Sequence, residues 1–262
     1  MSGLRFDANL KWLFTEHDFL DRFAAAAEAG FAAVEYPAPY AYPVSELRAR
    51  LDDNGLHQVL VNTPMGERGT PEQQGVTCFP DLVPRFRSEF LTALEYAVGL
   101  GADFVHLVGG MVPPGVSRDR AFARYVANVA WASEQAASTG VRLLLEAQNK
   151  RDAPGFVLET QAQARAVAEA CDAGNVGVLL DVYHAQIDEG DLLRRIEEGL
   201  PEAFHVQIAD PPSRHEPGTG ELNFRAVFAA IAASGYEGWI GCEYEPLAGT
   251  REGLAWREEL TA

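Results

Sequence analysis

Short apolar runs alternate with longer amphipathic stretches along the whole chain. Between the runs, apolar residues recur every three to four positions, as in helices that bury one face. The runs themselves predict eight strands, over 4–10, 31–37, 56–63, 102–110, 141–148, 176–184, 203–210 and 239–246. A glycine stands just before most of these strands, where a left-handed residue can end the preceding helix. These glycines are Gly30, Gly55, Gly101, Gly140, Gly174 and Gly235.

Eight successive strand–helix units, with no antiparallel hairpin in the pattern, predict an α/β fold of the (β/α)₈ TIM barrel type. The length of 262 residues is close to the roughly 250 residues of such barrels. No Ser-, Gly- or Pro-rich linker divides the chain, so we expect a single domain over 1–262. An open doubly wound sheet is the alternative. It usually has a glycine-rich turn after its first strand, whereas this chain has NLKWLFTEHD there.

Four polar residues stand at the ends of the last four apolar runs: Glu146, Asp181, Gln207 and Glu243. A polar residue can simply mark where a strand stops, but that explains four consecutive strands poorly. In a barrel, the carboxyl ends of the strands form the active-site face. Three carboxylates gathered there would repel one another, and each would cost several kcal/mol to desolvate. A divalent cation removes that problem, and oxygen ligands favour Mg²⁺ or Mn²⁺, so we predict these four residues as metal ligands.

Other polar residues near these strand ends are predicted to contact the substrate. His184 follows Asp181 by three positions, and Arg214 lies in the loop PPSRHEPGTGELNF, where its guanidinium could clamp an anion. His106 either lines the pocket or packs in the core. Lys11 could add positive charge, although a solvated lysine is the plainer interpretation.

His205 shares a strand face with Gln207 but lies two positions earlier. We therefore expect it one layer deeper, as a buried structural histidine.

The two glutamates predict proton-transfer chemistry. A cation that binds a carbonyl and the neighbouring hydroxyl acidifies the C–H between them and stabilises an enediolate. Glu146 and Glu243 would then move the proton, a contribution of roughly 10²–10⁴ in rate. Asp181 and Gln207 would mainly hold the metal.

Net charge and cysteine content limit the classes of partner and the cellular compartment that we expect. A formal charge of −17 argues against nucleic acid, which requires a basic face. Three cysteines without a CxxC pair fit a reducing cytosol. The sequence has neither a signal-peptide pattern nor an apolar run near ~18 residues, so we expect a cytoplasmic protein with no membrane partner. Barrels often associate through their outer helices, so a homo-oligomer is compatible with the pattern.

Several segments together resemble the hydroxypyruvate isomerase family, within the xylose isomerase-like barrels. The most specific segments are DVYHAQIDEGDL, HVQIADPPSRHEPGTGELNF and GYEGWIGCEYEP. The resemblance implies interconversion of hydroxypyruvate, a small anionic 2-oxo acid, with 2-hydroxy-3-oxopropanoate (tartronate semialdehyde). It also implies Glu146 and Glu243 as the acid–base pair, the four metal ligands named above, and substrate contacts at His184 and Arg214.

Four alternatives stay open at this point. Close relatives isomerise 2-oxo-tetronate, and the segment EAQNKRDAPGFVLET after the fifth strand does not decide between the two substrates. A metal-dependent keto-sugar dehydratase would release water. An endonuclease of the same superfamily would need more than the six histidines and a basic groove. A binding protein without catalysis is opposed by the intact glutamate pair.

Overall fold

Nine parallel strands form one sheet in the computed structural model, which describes residues 3–261. The strands are β1 (Arg5–Asn9), β2 (Ala33–Glu35), β3 (His57–Gln58), β4 (Leu60–Asn62), β5 (Phe104–His106), β6 (Arg142–Glu146), β7 (Val176–Asp181), β8 (Ala203–Ile208) and β9 (Trp239–Cys242). Their order in the sheet is β3-β2-β1-β9-β8-β7-β6-β5-β4.

The sheet closes at Val59, the single residue between β3 and β4. Its amide donates to the carbonyl oxygen of Val34 at 2.9 Å, and its own carbonyl accepts from the amide of Phe104 at 3.0 Å. β3 and β4 are thus two pieces of the one strand predicted over 56–63, and together they fill the eighth position of the ring. The predicted (β/α)₈ barrel is confirmed.

Helices cover the outside of the sheet. They are α1 (Arg22–Glu28), α2 (Val44–Asn54), α3 (Val83–Leu100), α4 (Arg118–Ala136), α5 (Gln161–Cys171), α6 (Val182–Asp188), α7 (Leu192–Gly199), α8 (Phe224–Ala233) and α9 (Trp256–Glu259). The side chains of Ser117, Thr160 and Asn223 accept hydrogen bonds from the first turns of α4, α5 and α8, which explains where these helices begin. Within 3–261, no helix combines the length and the apolar character that crossing a bilayer would require.

The strands are all shorter than the predicted runs, and two boundaries show a physical cause. The strand predicted over 176–184 ends at Asp181, because its carboxylate accepts from the amide of Tyr183 at 2.8 Å and so starts α6. Gly174 was predicted to end a helix in the left-handed conformation. Asp172 takes that place instead, with φ 45° directly after α5.

The inside of the barrel has an apolar floor below a polar layer. Leu144 and Leu179 belong to a small buried cluster and precede Glu146 and Asp181 by two positions. Because strand side chains alternate between faces, residues two apart point to the same side. Phe104 likewise precedes His106, and Arg142 stacks on the Phe104 ring at 4.7 Å. The apolar floor thus leaves the polar side chains at the carboxyl end of the strands.

Candidate metal and substrate site

A cavity of about 180 Å³ opens at the carboxyl ends of the strands. Seven of the eight predicted site residues line it: Lys11, His106, Glu146, His184, Gln207, Arg214 and Glu243. The eighth, Asp181, is buried and lies 3.5 Å (Oδ2) from Nε2 of His184. The barrel therefore brings together residues from widely separated parts of the chain, as the strand-end pattern predicted.

Glu146, Asp181 and His184 form a compact group of potential metal ligands. Their ligand atoms all lie within 4.8 Å of one another, and all three side chains are buried. Burial, together with the charges of Asp181 and Glu243, raises the pKa of Glu146 well above its usual value. Burial likewise raises the pKa of Asp181 to about 7, although Arg214 opposes the shift. These carboxyl groups lack the solvation that an isolated charge needs.

A divalent cation fits this donor set. Among residues 3–261, Oδ2 of Asp181 is buried without a hydrogen-bond partner. It lies 3.5 Å from Nε2 of His184, and Oε1 of Glu146 lies 3.7 Å from the same nitrogen, so the two carboxylate oxygens are close to each other. Carboxylate and amide oxygens suit a hard ion. The buried acidic and histidine groups could thus hold a metal ion.

His184 is oriented by its other ring nitrogen. The backbone amide of Asn149 donates to Nδ1 at 3.2 Å, so Nδ1 accepts and the neutral ring carries its proton on Nε2. Nε2 lies 3.7 Å from Oε1 of Glu146. Burial and the nearby Arg214 lower the pKa of His184 well below its usual value. A neutral N–H at this position suits donation to a substrate oxygen or to a carboxylate, in line with the predicted substrate contact.

Arg214 lies among the carboxylates. Its guanidinium forms an ion pair with Glu243 and lies 3.6 Å from Oδ2 of Asp181. The rings of Trp12 and Tyr183 flank it at 5.1 and 4.8 Å, which favours a cation between them. Burial would lower the pKa of Arg214, but the carboxylates outweigh burial and raise the pKa above its usual value. In this structure the predicted anion clamp binds protein carboxylates, and it offsets part of their charge.

His106 and Lys11 complete the predicted set. His106 is buried, with Nε2 3.6 Å from Oε2 of Glu146, and burial lowers its pKa to about 4. It therefore lines the pocket as a neutral imidazole. Lys11 is exposed at the rim, and its ammonium lies 5.0 Å from the ring centre of Trp12.

A second polar layer lies directly beneath the cavity, where Glu35 and His205 are both fully buried. Oε2 of Glu35 lies 2.7 Å from Nε2 of His205, which confirms the prediction of a buried, hydrogen-bonded histidine. Oε1 of Glu35 accepts from the amide groups of Asn9 and Gln207 at 2.8 and 2.7 Å. Burial alone would raise the pKa of Glu35, but His205 and these two amides lower it.

The sequence interpretation did not single out Glu35 or Asp7 as part of a buried network. The available signal was an acidic residue, Asp7, inside a short apolar strand. Asp7 precedes Asn9 by two positions, so the two side chains share a face of β1. Asp7 is fully buried, and neither of its carboxylate oxygens has a hydrogen-bond partner within 3–261. Burial, and next the charge of Glu35, raises the pKa of Asp7 well above its usual value.

We expect Asp7→Asn to stabilise the protein at neutral and alkaline pH. Because the folded-state pKa of Asp7 is raised, the native protein retains a proton that the unfolded chain releases above about pH 3.9. Asp7 therefore costs stability increasingly as the pH rises from that value towards its folded-state pKa. The asparagine variant avoids the buried carboxylate and should gain on the order of 1–3 kcal/mol at pH 8.

Thermal unfolding of both proteins between pH 5 and pH 8 tests this prediction. The Tm advantage of the variant should grow with pH. An advantage that is constant across this range, or a variant that is less stable throughout, would contradict the assignment of a raised pKa to Asp7.

Comparison with known proteins places this architecture in a family. Residues 23–260 match the family model described as "Xylose isomerase-like TIM barrel". The chain belongs to this family. It is 45% identical over 252 residues to the 2-oxo-tetronate isomerase of Cupriavidus necator, covering 96% of each chain. It is 39% identical to the hydroxypyruvate isomerase of Escherichia coli, covering 97% of this chain and 98% of that relative.

A solved structure is similar over the same span. The crystal structure titled AP endonuclease, family 2, from Brucella melitensis superposes with a TM-score of 0.94 at 39% identity, covering 98% of both chains. The resemblance to the hydroxypyruvate isomerase family is thus confirmed by relatives named as isomerases over nearly the full length.

Proposed function

We propose that the protein is an aldose–ketose type isomerase of a short 2-oxo acid. The observation that carries the proposal is the placement of Glu146 and Glu243, from two different strand ends, around one cavity that Lys11, Asp152 and Arg214 also line, with Asp181 buried beside it. Relatives named as isomerases at 39–45% identity support the same reaction class.

We propose Glu146, Asp181, Gln207 and Glu243 as ligands of Mg²⁺ or Mn²⁺. When bound, the cation would polarise the substrate carbonyl and the neighbouring hydroxyl, and so acidify the C–H between them. Oδ2 of Asp181, which is buried and has no hydrogen-bond partner among residues 3–261, supports this ligand set. Asn9 donates to Oε1 of Glu243 at 3.3 Å and Gln148 to Oε2 of Glu146 at 2.8 Å, so both glutamates are oriented by amides.

The two glutamates would move one proton between adjacent carbons. One carboxylate removes the proton from C3 of the 2-oxo acid, and the electrons of that bond form the enediolate. A proton then returns to C2, from the other glutamate or from the same one, and the proton of the C3 hydroxyl passes to the oxygen on C2, so the carbonyl group moves from C2 to C3. His184 would donate its Nε2 proton in a hydrogen bond to a substrate oxygen. Such positioned acid–base help contributes roughly 10²–10⁴ in rate.

Two substrates of this class differ only at C3. Hydroxypyruvate carries two hydrogens there, whereas 2-oxo-tetronate carries a hydroxymethyl group in place of one. The relative named 2-oxo-tetronate isomerase, at 45% identity, favours the four-carbon acid as the first substrate to test. The relative named hydroxypyruvate isomerase, at 39%, makes the three-carbon acid the second. Arg214 and Lys11 at the cavity would attract the carboxylate of either.

A proton NMR assay in D₂O, with Mg²⁺ or Mn²⁺ present, tests the proposal. We expect 2-oxo-tetronate to give its 3-oxo isomer, and hydroxypyruvate to give tartronate semialdehyde at a lower kcat/KM. Deuterium incorporation at C2 would support the enediolate route. A product lighter by one water would point to the dehydratase alternative, and lack of turnover of both acids with either metal would contradict the proposed substrate class.

We also propose that nucleic acid is not a partner, although the similar crystal structure is titled as an AP endonuclease. The formal charge of −17 opposes binding to a phosphate backbone. Incubation with a duplex that contains an abasic site should leave it uncleaved.

A further inference from the structure

The polar layer beneath the cavity contains a side chain that touches two residues of the candidate metal site. Glu35, at the end of β2, is fully buried, and each of its oxygens is in a short hydrogen bond. Oε1 accepts from both Gln207 and Asn9, whereas Oε2 pairs with His205 at 2.7 Å. No other described contact reaches Nε2 of Gln207 within 3–261.

The hydrogen bond from Gln207 determines which end of its amide faces the cavity. A carboxylate only accepts hydrogen bonds, so the NH₂ group of Gln207 must face Glu35. The carbonyl oxygen, on the opposite side of the amide, is then directed away from Glu35 and is available as a ligand. If the amide turned over, two oxygens would meet at 2.7 Å in a buried site, which costs the full desolvation of both groups.

Asn9 transmits a similar constraint to Glu243. Its NH₂ group donates to Oε1 of Glu35 at 2.8 Å and lies 3.3 Å from Oε1 of Glu243. Its carbonyl oxygen accepts from the backbone amide of Lys11 at 3.1 Å, so its amide orientation is fixed as well. The carboxylate of Glu35 thus orients two amides. One is that of Gln207, a proposed metal ligand, and the other is that of Asn9, which contacts Glu243.

The surrounding chain is built to admit Glu35. A Cβ at Gly241 on β9 would lie 2.6 Å from Oε1 of Glu35, closer than a side chain tolerates. Glycine at this position leaves room for the carboxylate between β1 and β8, where Asn9 and Gln207 meet it.

We propose that Glu35 is a positioning residue that sets metal affinity by holding the carbonyl oxygen of Gln207 towards the ion and Asn9 against Glu243. This inference rests on the proposed metal site. Groups that orient metal ligands from behind typically contribute 10–100-fold to metal affinity. Glu35 itself does not touch the substrate.

The test measures Mn²⁺ binding by isothermal titration calorimetry and by the electron paramagnetic resonance signal of the bound ion, so that it does not depend on turnover. In E35Q the side chain can donate as well as accept, so the amide of Gln207 can turn over and present its NH₂ group to the ion. We expect E35Q to weaken Mn²⁺ binding about 10–100-fold. In the swapped double variant E35Q/Q207E, the amide beneath donates to the carboxylate above, but its NH₂ group then also faces that of Asn9, which shared Oε1 of Glu35, so affinity should recover only in part.

Asp7→Asn is the control for general disturbance of the buried layer, because its carboxyl group lies within 4.8 Å of Glu35 and His205 but makes no described hydrogen bond to Gln207 or Asn9. Its Mn²⁺ affinity should stay within about twofold of wild type. If E35Q does not fold, Glu35→Asp keeps the negative charge but shortens the side chain, which should weaken its contact with Gln207, and should still weaken binding several-fold.

The outcomes separate this inference from the metal site itself. Wild-type protein that binds no Mn²⁺ would overturn both. Wild-type binding with unchanged affinity in E35Q, or in Glu35→Asp where only that variant folds, would overturn the role of Glu35 alone. An equal loss in Asp7→Asn, or no recovery in the swapped variant, would show a general disturbance of the layer and would also overturn it.

Discussion

Replacing Glu243 by glutamine is expected to lower kcat by roughly 10²–10⁴, the usual contribution of a positioned acid–base group. Glutamine keeps the shape of the side chain but cannot take up the substrate proton. The same loss is expected for Glu146→Gln, because the proposed reaction needs a group for each proton transfer. The measurement is steady-state turnover of 2-oxo-tetronate and hydroxypyruvate at saturating Mn²⁺, so that weakened metal binding is compensated.

The matched control is Glu245→Gln, an exposed glutamate two positions after Glu243 on the same segment. It should retain wild-type kcat. The double variant Glu146→Gln/Glu243→Gln should be little worse than either single variant, because residues that act as a unit are not additive. A Glu243→Gln protein that folds, binds Mn²⁺ and turns over normally would contradict the proposed role of Glu243 and support a different catalytic pair.

Removal of the metal is expected to abolish turnover. Without a cation, Arg214 and the rim residue Lys11 are the positively charged groups left at the cavity lining to balance Glu146, Asp181 and Glu243, and the substrate C–H would not be acidified. Treatment with EDTA should reduce activity to background, and added Mg²⁺ or Mn²⁺ should restore it. At a metal concentration about 100 times Kd, binding should stabilise the fold by about 2.7 kcal/mol, or raise Tm by about 5–10 °C.

EDTA already saturated with Mg²⁺ is the control for direct effects of the chelator, and it should leave both activity and Tm unchanged. Activity that survives exhaustive chelation, in protein shown by elemental analysis to contain no divalent metal, would contradict metal-assisted isomerisation. A rise in Tm without recovered turnover would support the metal site and contradict the proposed reaction.

Much of the fold and of the upper layer of the site could be predicted from sequence because both depend on local periodicity. The apolar runs fixed the strands, and the residue that ends each run lies at the carboxyl end by the geometry of a barrel. Glu146, Gln207 and Glu243 were therefore expected in one place, and the cavity contains all three. Asp181 lies just outside its lining and meets the group through His184 and Arg214.

The buried polar layer beneath the cavity depends on contacts between strands that are far apart in the sequence. The sequence does not show which residues of two such strands lie beside each other. Glu35 and His205 are 170 positions apart, and their contact follows from how β1, β9 and β8 bring β2 towards the same interior. Arg214 was expected to clamp a substrate anion, but its position between Trp12 and Tyr183 results from two loops and the first turn of α6, which meet above the barrel. Periodicity cannot predict such a meeting of distant segments.

The two carboxylate oxygens of Asp181 have different roles, one in starting a helix and one in the proposed metal site. Its Oδ1 accepts from the amides of Tyr183 and His184 at the start of α6, whereas Oδ2 has no hydrogen-bond partner within 3–261. The conformational entropy of this side chain is therefore lost when the helix forms, well before an ion arrives. As a proposed ligand, Asp181 would offer an ion an oxygen that is already immobile, so that binding would restrict this side chain little further.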